Sequence, residues 1–388
     1  MHSERRDAAI AKVRALGPAF AERAPAHDRD ASFPFENFAD LRGAGLLSLC
    51  VPERFGGEGA SFADYMHVAA TIGSYCPTTA LTYNMHSQTV LWTGIVADDL
   101  AMTPEQRSGL DERRGRLYAG IVEHGNLHSQ PLSEGIAPGE AAGVGTVATP
   151  VEGGWRVTGR KIFASLAGAA SAYSLTVREP GDDTIRFVSI VAGAPGVEVV
   201  GEWDPLGMRG TDSRTLVFTD VFVPHADELL PPGVFEQLST RWPHVYLTLT
   251  PAYLGLTRAV IEQTRAYLAV PNAGGGMSRR EVPQKQALWA QMQVAYERSR
   301  ALWEQAVREA RVDPTTEEVR RAWAASYTVM ETAPEVASLA IRACGGISML
   351  RNLRFEQHYR DARCGSLMFP WTADIALERL GRAGLFDA

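Results

Sequence analysis

The chain has 388 residues, of which 45% are hydrophobic and 21% charged, and its formal net charge is −7. That length exceeds the roughly 100 to 200 residues of one ordinary domain and implies two or three, with room for a ligand-sized cleft between them. No apolar run approaches the ~20 residues of a membrane span, and the basic residues are scattered, which argues against a transmembrane role and a nucleic-acid partner. Residues 1–7 lack the apolar core of a secretion signal, so a cytoplasmic location is expected. Cys50, Cys76, Cys344 and Cys364 show no paired spacing and read as small buried residues, with no metal site expected.

From the start to about residue 115 the hydrophobic period is helical, with helices expected over 4–23, 35–47, 61–73 and 78–97. The last carries His86, read either as a hydrogen-bonded core histidine or as a reactive group. Near Leu117 the texture shifts to short β-branched runs, and strands are expected at 155–159, 173–177, 185–191, 197–200 and 215–218. Gly143-Val144-Gly145 lacks the strand-then-helix context and third glycine of a dinucleotide loop.

Between these strands, Leu206 to Pro224 opens on a polar turn punctuated by Gly207 and Gly210. Thr211, Asp212, Ser213 and Arg214 then precede a β-branched run, a pattern that suits a ligand mouth or a plain hairpin edge. After Pro232 the helical period returns. Leu254, Ile261 and Leu268, and then Leu288, Ala295 and Leu302, mark the seams of bundle helices. A third tract runs from Thr316 to Ala343 with a bend expected near Pro334, Gly345-Gly346 closes it, and a last helix is expected over 372–382. The chain therefore reads as α+β: an N-terminal α-helical domain (1–116), a central β domain (117–232) and a C-terminal four-helix bundle (233–388).

Five segments, in order along essentially the whole chain, resemble the acyl-CoA dehydrogenase superfamily. They are Val51 to Gly57, Leu132-Ser133-Glu134-Gly135, Trp155 to Ser165, Leu206 to Pro224, and Gly345-Gly346 followed by Tyr359-Arg360-Asp361-Ala362-Arg363. The resemblance implies that superfamily's fold, with a β-barrel-like middle domain, and a homodimer or homotetramer. It also implies FAD as cofactor, with FMN as the alternative. Leu132 and Ser133 match the pair at the flavin's pyrimidine edge; Phe163, Ala164 and Ser165 match the second flavin stretch, with Ser165 offering its hydroxyl or backbone to N5. Gly345 and Gly346 match the dinucleotide glycines, and Arg209, Thr211 and Ser213 become candidate substrate contacts. Two departures stand out: Ser278-Arg279-Arg280-Glu281 replaces the family's Arg-x-x-Phe-Gly, and Pro138-Gly139-Glu140 stands where Gly-Ser-Asp is usual.

The resemblance also locates the catalytic carboxylate six residues after Arg363, where this chain has Phe369, which would face the substrate. The family's second base position falls on Val245, beside His244, leaving His244, Glu236 and Asp374 as possible recruits. The expected function is flavin-dependent oxidation of an acyl thioester (on coenzyme A or a carrier protein) or a related small molecule, passing electrons to an electron-transfer flavoprotein. The alternative is a monooxygenase using a flavin C4a-hydroperoxide on an aromatic, sulfur or amine substrate, supplied by a flavin reductase. There His86 and Ser165 would donate hydrogen bonds to the peroxide. A flavin-binding or interaction module without turnover is the third reading.

Overall fold

Five helices open the chain in the computed structural model, which describes residues 2–135, 144–181, 184–271, 277–368 and 372–386. They are α1 (His2–Asp30), α2 (Phe35–Gly43), α3 (Phe62–Gly73), α4 (Pro77–Leu91) and α5 (Pro104–His124). Ser61 with Asp64 starts α3 and Thr103 with Gln106 starts α5, each pair satisfying two orphan backbone N–H groups reciprocally. A π-turn at Trp92–Val96, with Gly94 at φ −102° and ψ −111°, ends α4 short of the expected residue 97. Helix α5 passes Leu117, where a change of texture was expected, because Tyr118 and Ile121 continue its buried face.

Seven strands follow among the described residues: β1 (His128–Ser129), β2 (Val147–Val151), β3 (Gly154–Ala164), β4 (Ala172–Arg178), β5 (Ile185–Val191), β6 (Val197–Val200) and β7 (Arg214–Pro224). They form one curled sheet in the order β1-β4-β2-β3-β7-β6, with β5 on β4. The five expected strands correspond to β3 to β7. The two extra ones escaped the pattern because β1 is two residues long and β2 is exposed over its last three. The β3–β7 ladder slips between Lys161 and Ala164, and there Phe163 adopts φ 51° and turns out of the sheet.

The bundle comprises α6 (Val234–Arg241), α7 (Thr250–Ala269), α8 (Pro283–Glu309), α9 (Thr316–Cys344), α10 (Phe355–Cys364) and α11 (Ala373–Leu385). Helix α9 runs through Pro334 as one continuous helix. Buried side chains from α1 to α5 and from α7 to α10 form one apolar cluster, whereas the sheet keeps its own around Trp155, Leu175 and Phe218. The two helical regions merge because α3 and α7 cross closely: a Cβ on Gly255 would lie 2.3 Å from Ala70 O. The first and third parts thus grip the second from both ends.

One buried ion pair fixes how the segment after β1 meets β3. Lys161 Nζ, fully buried, meets Glu134 Oε1 and donates to Thr176 O at 2.8 Å. Glu134 also accepts from Thr146 Oγ1 at 2.7 Å and Thr146 N at 3.2 Å. Burial lowers the Lys161 pKa to about 8, with Glu134 opposing the shift. Removing one partner would strand the other charge, at a cost of ~3–5 kcal/mol. Lys161→Met is therefore expected to lose about that much in urea unfolding, and Glu134→Gln with Lys161→Met to recover most of it. A single variant as stable as the wild type would show that the pair organises nothing.

Candidate functional site

Helix α4 buries all but one of its residues, although many are polar, among them Thr78, Thr82, Asn84, His86, Gln88 and Thr89. A central helix with hydrogen-bonding groups on every face must find partners inside the protein. His86 finds two: Nε2–H donates to Leu47 O at 2.9 Å, and Nδ1 accepts from His128 N at 3.2 Å. His128 in turn sets Nδ1 3.1 Å from Ser174 Oγ. Burial lowers the His86 pKa to about 4, against the Leu47 carbonyl, and burial together with His86 lowers that of His128 to about 3. Both rings are neutral. The His86 ring pins β1 to α4 and keeps no free N–H.

At the end of β3 the expected hydroxyls come together. Ser165 Oγ lies 2.8 Å from Ser213 Oγ, Ser213 donates to Thr211 Oγ1 at 2.7 Å, and Thr211 donates to Met208 O at 2.9 Å. Each hydroxyl has one proton and the chain ends on a carbonyl, which fixes its polarity. Ser165 gives its proton inward to Ser213, and its backbone N–H goes to Phe163 O at 3.0 Å. The outer side of Ser165 therefore presents lone pairs, whereas the sequence pattern suggested a donor. Ser129 Oγ secures Ser165 from behind, donating to its carbonyl at 2.5 Å.

The partner segment lies alongside. Ser133 O accepts from Ile162 N at 2.8 Å, so Leu132 and Ser133 run beside the strand that ends in Phe163, Ala164 and Ser165. Ala164 is buried in the sheet core, while Phe163 is 67% exposed and meets Trp203 edge to face at 6.3 Å. A non-glycine residue at positive φ with an exposed ring is strained, which is a mark of a functional surface. Between Ser129 and Leu132 the sequence reading missed Gln130. Its side chain is buried, and neither its amide oxygen nor its nitrogen has a partner among the described residues. It has no periodic signal, and only its place just before the matched stretch at Leu132 pointed to it.

Other candidates lie elsewhere. Arg209 donates Nε to Asp28 O at 2.6 Å and Nη1 to Pro205 O at 3.0 Å, bracing the turn against α1. Gly345 and Gly346 are exposed at the end of α9. There Gly345 holds φ 75° and ψ −159°, which a side chain rarely tolerates, and a Cβ on it would meet nothing within 4 Å. His244 is fully buried, and burial lowers its pKa to about 4. Glu236 accepts from Ile185 N at 3.0 Å, and Asp374 is exposed in the first turn of α11. Phe369 and Pro138-Gly139-Glu140 lie outside the described residues. Among the described residues no cluster suits a metal ion, and no helix is long and apolar enough to cross a membrane.

A helical region, a curled sheet and a helical bundle, with two matched segments side by side at a sheet end, define a flavin-dependent oxidoreductase fold. The comparisons agree. Family models for the acyl-CoA dehydrogenase N-terminal, middle and C-terminal domains match residues 3–108, 132–221 and 244–385. The putative acyl-CoA dehydrogenase YdbM of Bacillus subtilis is 26% identical over 95% of this chain and 94% of its own. The probable FMNH2-dependent monooxygenase SfnC of Pseudomonas putida is 25% identical over 98% and 95%. The crystal structure of FMN-bound TdsC from Paenibacillus sp. A11-2 superposes with a TM-score of 0.86 at 22% identity, covering 98% of each chain. The chain belongs to the acyl-CoA dehydrogenase superfamily, as a flavoprotein oxidoreductase.

Two measurements bear on this site. A histidine held neutral in the fold takes a proton on unfolding below its ordinary 6.5, so its stabilising effect is complete above 6.5 and lost as pH falls towards 4. Stability should decline there by about 1.4 kcal/mol per pH unit for each such ring, and His86→Asn should remove one proton's share of the slope; an unchanged slope would count against a neutral buried ring. Gln130→Leu removes an amide that nothing among the described residues satisfies, so stability should hold or rise. Turnover should fall by about tenfold or more, and a loss of stability beyond about 2 kcal/mol would make Gln130 a structural residue instead.

Proposed function

We propose that the protein is an oxygen-using member of the superfamily, a flavin-dependent monooxygenase that takes reduced FMN from a separate flavin reductase. The observation that carries this reading is the polarity of Ser165. An acceptor-only serine suits the N5–H of a reduced flavin, whereas an oxidised flavin offers N5 as an acceptor and needs a donor. The residues suit a flavin in two further ways. Leu132 and Ser133 line its polar edge beside β3, and exposed Phe163 offers an apolar wall. A reduced flavin supplies the electrons that activate oxygen.

The chain's own groups orient and seal. Ser165 would fix the flavin edge, His86 and His128 hold β1 without bringing a charge into the site, and Gln130 would offer its amide N–H groups and its carbonyl oxygen to the substrate. The substrate class is a small aromatic, sulfur or amine compound. Removal of an α-proton from an acyl thioester requires a carboxylate at the reacting carbon. This chain has Phe369 and Val245 at the two family positions, and His244 is sealed in the interior. FMN is favoured over FAD because Arg279, in the loop where the family's dinucleotide arginine would stand, is occupied. It donates to Val270 O at 3.0 Å and lies 4.8 Å from the centre of the Tyr267 ring. Self-association as a dimer or tetramer is supported by an apolar groove between α8 and α9, lined by Ala287, Ala290, Leu339 and the 60% exposed Val294.

The discriminating experiment mixes the oxidised holoprotein anaerobically with a panel of acyl-CoA thioesters, and separately supplies reduced FMN and oxygen with aromatic, sulfide and amine substrates. Oxygenated product with no bleaching by thioesters is expected; bleaching by an acyl-CoA would return the protein to the dehydrogenases. Ser165→Ala should weaken reduced FMN by about tenfold and oxidised FMN much less, one hydrogen bond being worth roughly 1 to 1.5 kcal/mol. Equal weakening of both redox forms would sink the polarity argument.

A further inference from the structure

We propose that Asp361, on α10, is the positioning residue that sets the acceptor face of Ser165, acting through the backbone conformation of Met208. The inference rests on the flavin reading above but concerns a residue outside the site. Asp361 is fully buried, and its Oδ1 accepts from Met208 N at 2.6 Å. Met208 O is the terminal acceptor of the Thr211, Ser213 and Ser165 hydroxyls. The hydrogen bonds lead from a carboxylate in the bundle to the Met208 N–H and from the Met208 carbonyl to a hydroxyl at the end of β3, and the φ and ψ of Met208 join the two halves.

The surroundings of Asp361 separate this role from that of a structural ion pair. Arg360, its neighbour in sequence, pairs with Asp28 of α1 at 2.6 Å and with Glu356 at 2.8 Å. Asp361 Oδ2 is buried with no partner among the described residues. A buried carboxylate whose hydrogen bonding is confined to one peptide N–H is costly to keep for stability alone. Burial accordingly raises its pKa to about 7. The Met208 N–H opposes that rise, Asp28 adds to it, and Arg360 and Arg354 work against it.

The backbone geometry agrees. Met208 sits at φ 54° and ψ 35°, a left-handed conformation unfavourable for a residue with a side chain. In it, N–H and C=O serve the two opposite partners. Gly207 permits the approach: a Cβ there would fall 2.5 Å from Arg360 O and 2.7 Å from Asp361 N. Nothing else among the described residues holds the Met208 N–H, so without Asp361 the left-handed turn is held from its carbonyl side alone, where Met208 O also accepts from Thr211 N at 3.1 Å and Trp203 Nε1 at 3.4 Å, and the direction of that carbonyl relaxes.

The test is a double-mutant cycle read as the dissociation constant of reduced FMN, measured anaerobically by fluorescence on the full chain, with unfolding followed in parallel. Asp361→Leu is expected to weaken reduced FMN by about tenfold, and Asp361→Asn, which keeps the accepting oxygen, to stay within about threefold of wild type. In a Ser213→Ala background, where the chain is already cut, Asp361→Leu should add no further loss. Should the leucine variant not fold, Asp361→Ser, too short to reach Met208, is read in the same cycle. Losses that add independently, with Ser213→Ala still weakening FMN, overturn the positioning role and leave the flavin reading standing. A Ser213→Ala variant that binds FMN as tightly as wild type overturns both.

Discussion

Met208, with the two peptide groups that flank it as one backbone unit, is the point at which three distant parts of the chain are tied together. Its N–H goes to the bundle through Asp361 and its carbonyl to the sheet through Thr211. Next to it, Arg209 reaches the end of α1 through Asp28 O, and Arg360 closes the ring by binding both Asp28 and Leu206 O. A left-handed non-glycine residue costs on the order of 1 to 2 kcal/mol. Hydrogen bonds on both sides of the unit, each about 1 kcal/mol, offset that cost only if both partners stay in place. The turn is therefore as rigid as the packing of α1 against α10, and the hydroxyls mounted on it inherit that rigidity.

Buried polar groups in this protein divide into two kinds. His86, His128, Ser129, Thr211 and Ser213 are bonded inside the protein, and their chemistry is spent on geometry. Gln130 is equally buried and has no bond among the described residues. An unmet amide costs roughly 1 to 3 kcal/mol, which a folding enzyme tolerates where a ligand completes it. Phe163 adds a second local cost at the same sheet end through its positive φ. The buried pair Glu134 and Lys161 joins the same two segments that carry Gln130 and Phe163. Strain and a buried ion pair thus belong to one unit.

Much of this was legible in the sequence because it is local. The seams at Leu254, Ile261 and Leu268 placed α7, and the matched stretches singled out Ser133, whose carbonyl the structure sets against Ile162 of β3. What failed was also physical. Strand β1 has two residues and no period to read, and α5 ran past Leu117 because helix ends depend on caps, here Gly125, more than on texture. The histidine was visible, but its two partners lie 39 and 42 residues away and decide that its N–H is already used. Hydroxyl polarity is subtler still. Ser165 and Ser213 are 48 positions apart, and only the carbonyl at the far end of their chain determines which way the protons point.

That polarity connects the site to how a flavin would be exchanged. A protein supplied with reduced flavin by a separate reductase must hold that form and release the spent one, so its contacts should differ between redox states more than they add up to high affinity. On the proposed reading Ser165 would do this with a single acceptor. Its partner would be an N–H that exists only while the flavin is reduced, and the loss of one hydrogen bond on oxidation would weaken binding by about tenfold. A donor at the same place would invert the preference and retain the oxidised form, as suits a dehydrogenase that begins each turnover oxidised. On this view the direction of three hydroxyl protons, set by a carbonyl and steadied by Asp361, selects between the two uses of one fold.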